Sequence, residues 1–208
     1  TTLHVYGGNT NSAIQIGTLT GNGTVDFGDG GGGKSLTLSI GNDGGTGTFS
    51  GVISNSGASS GPTVLSLILN NSGGTQTLSG ANTYSGGTTL SIGTLMAGIA
   101  TTGSVTNGPF GTNLVTVNSG SVLDLNGFNV ANSLNLTGSG ISGAGALTNS
   151  STTAANASGA VTLAGATSIG EAASKTITVS GSISGGYALT VNGGASQTGT
   201  VALAGTNT

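Results

Sequence analysis

The sequence predicts an all-β protein, a parallel β-helix in which short strands stack layer upon layer. Three observations carry that prediction. Apolar residues alternate with small polar ones in short runs, the period of a half-buried strand. Between the runs lie Gly-Gly, Asn-Gly and Gly-Asp-Gly corners. A corner motif then returns at wide, roughly regular spacing, the mark of a repeat architecture.

In chain order the first strands are read at Leu3/Val5, Ile14/Ile16, Val25/Phe27 and Leu36/Leu38/Ile40. No i, i+3, i+4 apolar stripe interrupts them, so no helix is expected. The clearest stretch comes next: Leu78-Ser79-Gly80-Ala81-Asn82-Thr83-Tyr84-Ser85-Gly86-Gly87-Thr88-Thr89-Leu90, then Ser91 to Leu95. It reads as two strands around a corner, with Gly86-Gly87 supplying backbone freedom that a Cβ would remove. A Leu-x-Gly-x-Asn/Thr element starts at Leu78, Leu125, Leu163 and Leu203, the leucines 47, 38 and 40 positions apart. An Ile-Ser pair precedes three of these, at Ile53, Ile141 and Ile183. The expected unit is therefore about 40 residues, divided into two turns of about 20, and the whole chain would make about ten turns rising ~48 Å. Asn and Gly recur at the corners because both tolerate left-handed backbone geometry. A sandwich or an up-and-down barrel ranks second, since either would show hairpins in place of the repeat. The texture continues to Thr208 without a break, so residues 1–208 are read as one domain.

Composition bounds the function. Glycine supplies 43 of the 208 residues and charged residues only 3 %, with a mean hydropathy of +0.24 and a net charge of −3. A chain this apolar and uncharged pairs into sheets and does not stay disordered. Its two cations, Lys34 and Lys175, cannot neutralise a phosphate backbone, which excludes nucleic acid as a partner. Cysteine is absent, which rules out disulfides and thiolate metal sites. The apolar run Val64-Leu65-Ser66-Leu67-Ile68-Leu69 falls far short of the ~20 residues of a spanning helix. The chain starts at Thr1 without Met, as a processed product or a fragment does.

Gly47-Thr48-Phe49-Ser50-Gly51-Val52-Ile53-Ser54, then Gly74-Thr75-Gln76-Thr77-Leu78 and the stretch after it, resemble the autotransporter-associated β-strand repeat of bacterial passenger domains. The match runs nearly residue for residue from 47 to 95, is looser from 136 to 208 and weak before 47. Residues 55–62 and the apolar run after them depart from the usual short form. The resemblance implies a right-handed parallel β-helix, exported to or beyond an outer membrane, and it carries no catalytic residues. The chain ends Leu203-Ala204-Gly205-Thr206-Asn207-Thr208, where the motif would continue Tyr-Ser-Gly-Gly-Thr-Thr-Leu, and it begins Thr1-Thr2-Leu3. The two ends thus read as parts of one motif, expected of an array cut at a repeat boundary or of subunits stacking head to tail. Neither end carries a polar cap, and uncapped ends expose strand edges that template further strands.

Candidate chemistry is sparse. Gly28-Asp29-Gly30-Gly31-Gly32-Gly33-Lys34-Ser35 fits the phosphate-loop pattern, but that mechanism needs a helix next, and the sequence continues as an alternating strand. Asp26, Asp29 and Asp43 could converge as a calcium site or as paired carboxylates of a polysaccharide-cleaving enzyme. Gly-Asp-Gly and Asn-Asp-Gly are equally ordinary turns, and these residues are read as turn aspartates. Asp124 and Glu171 are isolated and expected to face solvent. His4, the sole histidine, has no second His or Cys to share a metal. Tyr84 and Phe110 could stack on sugars, yet Tyr84 lies inside the repeat motif and is read as packing over a corner. No catalytic, cofactor or metal residue is assigned. The expectation is a non-enzymatic, extracellular or cell-surface structural protein, a stalk or filament that self-associates end to end. An adhesin or glycan-binding passenger domain is the alternative.

Overall fold

The structure, a computed structural model, describes residues 2–7, 12–29, 35–55, 64–101, 104–192 and 196–208. Among these residues every ladder between strands is parallel, and the lone antiparallel contact is a single bridge between Asn82 and Gly108. The only helical element described is one 3-10 turn, Ile141–Gly143. A hairpin-built sandwich or barrel is inconsistent with that pairing. The fold is all-β with long parallel sheets.

The register shows how the sequence builds them. One ladder runs Ile14, Leu38, Leu67, Thr88, Val115, Leu134, Val161, Ile183, each opposite the next. Its steps vary from 19 to 29 residues, and seven of them span residues 14 to 183, a mean near 24 in place of the even 20 expected. From Leu38 onward every member is buried. A second ladder runs Gln76, Leu95, Leu123, Leu147, Ile169, Val191, and a third Val130, Ala157, Val179, Leu203. Like side chains stacked a strand spacing apart form the apolar core, each removing its neighbour's face from water.

Left-handed geometry accounts for thirteen glycines of the described residues, and close approach between layers for others. A Cβ on Gly51 would lie 1.6 Å from the Gly23 carbonyl oxygen, and one on Gly80 1.8 Å from that of Gly51. In the C-terminal part Gly181 approaches the Gly159 oxygen and Gly205 the Gly181 oxygen in the same way, at 1.8 and 2.1 Å. None of these four has a positive φ. Backbone freedom is what Gly87 provides, at φ 85° within the Asn82–Gly87 corner.

The four Leu-x-Gly-x-Asn/Thr copies are not equivalent. Leu78 pairs with Phe49, Gly80 lies on Gly51, and Asn82 Oδ1 accepts the Ile53 N–H at 2.8 Å. Leu203 pairs with Val179, Gly205 lies on Gly181, and Asn207 Oδ1 accepts the Ile183 N–H at 3.1 Å. Those two copies are one structure built twice. At Leu125 the motif turns through left-handed Asn126 and Gly127, φ 48° and 83°. At Leu163 it lies inside the strand Val161–Ile169, beside an irregularity in register. Ile141-Ser142 is no strand element either, because positive φ at Gly140, Ser142 and Gly143 folds it into the exposed 3-10 turn.

Candidate functional site

The residues with candidate chemistry do not form one centre. Asp26 and Asp29 lie on the strand Thr24–Asp29, not in turns as expected, and Asp26 Oδ1 accepts a hydrogen bond from Ser54 Oγ at 3.0 Å. Asp43 does sit in a turn. Its Oδ1 accepts from the Thr18 hydroxyl at 2.7 Å and from the Gly45 N–H at 3.1 Å, and hydrogen bonding led by Thr18 holds its carboxyl down at about 2. Asp26 and Asp43 are thus each committed to tying one segment to another. Among the described residues no group of three or more His, Cys, Asp or Glu is placed to hold a metal ion. His4 lies on the strand Thr2–Gly7, opposite Asp26 in register. Residues 30–34 of the phosphate-loop match lie outside the described residues, and the segment after them is the strand Ser35–Ile40, which offers no helix N-terminus to a phosphate.

Tyr84 and Phe110 are both fully buried, so neither is available to stack on a sugar. The Tyr84 hydroxyl and Thr88 Oγ1 share a hydrogen bond of 2.7 Å, and Thr88 Oγ1 donates on to the Phe110 carbonyl at 3.0 Å. Burial pushes the Tyr84 hydroxyl well above its usual range. The polar Thr88 rung of the first ladder is explained by this chain of bonds.

Asp124 and Glu171 depart from expectation: they are 4 % and 1 % exposed. Asp124 is satisfied, its Oδ1 accepting the N–H groups of Asn126 and Ser150, each at 2.9 Å. Glu171 is not. Both of its carboxyl oxygens are buried and neither has a hydrogen-bond partner.

Sequence reasoning also missed a set of buried amides that bracket one layer to the next. Gln76 is fully buried; its Oε1 accepts the Leu19 N–H at 3.0 Å while its Nε2 donates to the Leu19 carbonyl at 2.8 Å. Asn149 Nδ2 donates to the Thr176 carbonyl at 2.8 Å and its Oδ1 accepts the Gly127 N–H at 2.8 Å. Asn82 goes furthest: beyond its bond to Ile53, its Nδ2 donates to the Pro109 carbonyl at 2.7 Å on the other side. Asn207 repeats the Ile53-type bond, and it lies exposed.

Three of the exposed large apolar side chains, Tyr187, Val191 and Leu203, lie in the last part of the chain. The second ladder is buried through Ile169 and then exposes Val191, at 41 %. The third is buried through Val179 and then exposes Leu203, at 39 %. Tyr187, 57 % exposed, joins Leu203 and Asn207 around a hollow at this end. No helix of the described residues is long and apolar enough to cross a membrane. Comparison with protein-family models, curated proteins and solved structures finds no match to this chain.

Proposed function

We propose that the chain is a right-handed parallel β-helix of about eight layers and serves as a structural element of an exported surface protein, a stalk or filament that grows by end-to-end stacking. The observation that carries this reading is the continuity of the parallel ladders, the first of which stacks eight rungs from Ile14 to Ile183 and is buried from Leu38 onward. Strand edges left without a neighbour template further strands. An almost uncharged coat, two cationic and five acidic residues in 208, lets units approach without electrostatic repulsion. The likeness of residues 47–95 to the autotransporter-associated repeat supports an extracellular, outer-membrane-associated setting. A mechanical role also suits the residue types, with one histidine, no cysteine, and aspartates whose bonds tie backbone segments together.

The test is light scattering on the 208-residue chain across a concentration series, with electron microscopy of the same samples. Growth with concentration is expected, and filaments should show an axial repeat of about 40 Å, eight layers at the usual strand spacing. Val191→Lys and Leu203→Lys, both at exposed rungs, should abolish growth while leaving the circular dichroism spectrum unchanged. Strict monomers at millimolar concentration would overturn self-stacking and redirect the search to a surface that binds glycan or another protein.

A further inference from the structure

Glu171 is the one glutamate of the chain, and its carboxyl is enclosed without a hydrogen bond. The strand register explains how it came to be inside. Leu147 pairs with Ile169, so two positions on, Glu171 lies level with the buried Asn149. Asn149 answers burial with an amide that bonds backbone groups on two sides; Glu171 offers two acceptors and finds no donor. An ionised carboxylate is strongly disfavoured in such a place. A metal ion is no remedy either, since oxygens closed to solvent leave no room for an ion with its coordination shell. A proton needs no room.

The backbone of Glu171 holds the last part of the chain in place. Its N–H donates to Asn192 Oδ1 at 2.9 Å, and its carbonyl accepts the Gly199 N–H at 3.0 Å. Gln197 Nε2 closes the same segment by donating to the Gly143 carbonyl at 2.9 Å. The neighbours Gly170 and Ala172 line a cavity of about 350 Å³, together with Asn149, Lys175 and Gln197.

We propose that Glu171 is a proton-controlled latch: protonated, it stays inside and keeps Asn192 and residues 197–200 docked; ionised, it swings into the adjoining cavity toward Lys175 and loosens that segment. The charged groups that reach it are Asp124, which opposes ionisation, and Lys175, which favours it. Burial, the largest influence, pushes its carboxyl up to about 7, and the nearby Asn149 backbone moderates this without meeting hydrogen-bond geometry. A folded-state value above the unfolded one means that docking is fully supported below about pH 4.5 and is lost as pH rises toward 7.

The single glutamate makes the test direct. Its side-chain carboxyl carbon, observed by NMR in protein labelled at glutamate, should titrate with a midpoint near 7. Hydrogen exchange at Gly199 and Thr200, corrected for intrinsic rate, should accelerate about tenfold or more across the same midpoint. Glu171→Gln should abolish that pH dependence, and Lys175→Met should move the midpoint higher by removing the cation that receives the carboxylate. A midpoint in the ordinary carboxylate range overturns the proposal on the wild-type protein alone, whether or not the variants fold. So does a raised midpoint with exchange at Gly199 and Thr200 unchanged across it.

Discussion

Replacing Asn82 and Asn207 by alanine, one at a time, asks whether the repeat motif stabilises the fold through its amide or only marks a corner. The two residues occupy the same place in two copies of the motif, and each accepts a backbone N–H from the layer before it. They differ in what lies beyond. Asn82 is fully buried and also donates to the Pro109 carbonyl, whereas Asn207 is exposed. Asn82→Ala therefore leaves a buried donor, the Ile53 N–H, and a buried acceptor, the Pro109 carbonyl, without partners. Each orphaned buried group costs about 1–3 kcal/mol, so the substitution should cost roughly 4 kcal/mol. Asn207→Ala removes one solvent-accessible bond and should cost about 0.5–1 kcal/mol. Urea titration of both variants reads this out as a difference in midpoint at unchanged slope. In thermal melts it corresponds to a drop of roughly 8–16 °C against about 1–4 °C for a chain of this size. If Asn82→Ala lost less than ~1 kcal/mol, or if both variants lost the same, the layer-bridging amide would be wrong.

Three further outcomes rest on the same geometry. Gly80→Ala forces a methyl to within 1.8 Å of the Gly51 carbonyl oxygen and should cost about 3 kcal/mol or more, while Gly186→Ala, with nothing within 4 Å, should change stability by less than ~1 kcal/mol; paired denaturation curves check both. Tyr84→Phe keeps the buried ring and deletes the hydroxyl that bonds Thr88, so it should cost about 1 kcal/mol, against roughly 3–5 kcal/mol for Tyr84→Ala, both read from urea midpoints. Asp43 should titrate near 2 by NMR, its tie between the 42–43 turn and Thr18 present above pH 3.8 and lost as pH falls through the folded-state value; Thr18→Val removes the hydroxyl bond but keeps the Thr18 N–H, so it should move the midpoint only part of the way toward 3.8.

What was legible in the sequence is what a single residue type enforces locally. Gly80 and Gly205 could be read as structural because no other side chain fits beside the carbonyl of the preceding layer. Asn82 and Asn207 could be read with them as corner residues, but not the amide bond that each makes to a backbone N–H one layer away. The letters alone did not distinguish these copies from the one at Leu163, where Gly165 lies within a strand against the Thr137 side chain. Nor did they reveal that Ile141, so like Ile53 and Ile183, projects from a turn. A motif is a statement about neighbours, and its neighbours lie a full layer away in sequence.

Layer length is also why the buried acids were misread. Alternation tells which residues of one strand share a face, but it identifies the inner face only when the register to the next strand is known. Here the register steps vary between 19 and 29 residues, so counting forward from a secure layer loses its place within a step or two. Asp124 lies between Leu123 and Leu125 and Glu171 between Gly170 and Ala172, and both acids are inside. The fold tolerates them differently: Asp124 is held by two backbone N–H groups, so its charge belongs to the corner it closes. Glu171 has no such donors. A buried polar group without a partner is a cost that the sequence leaves uncompensated. The Glu171 backbone, in turn, holds Asn192 and Gly199 in place, so the uncompensated acid sits where the last part of the chain is docked.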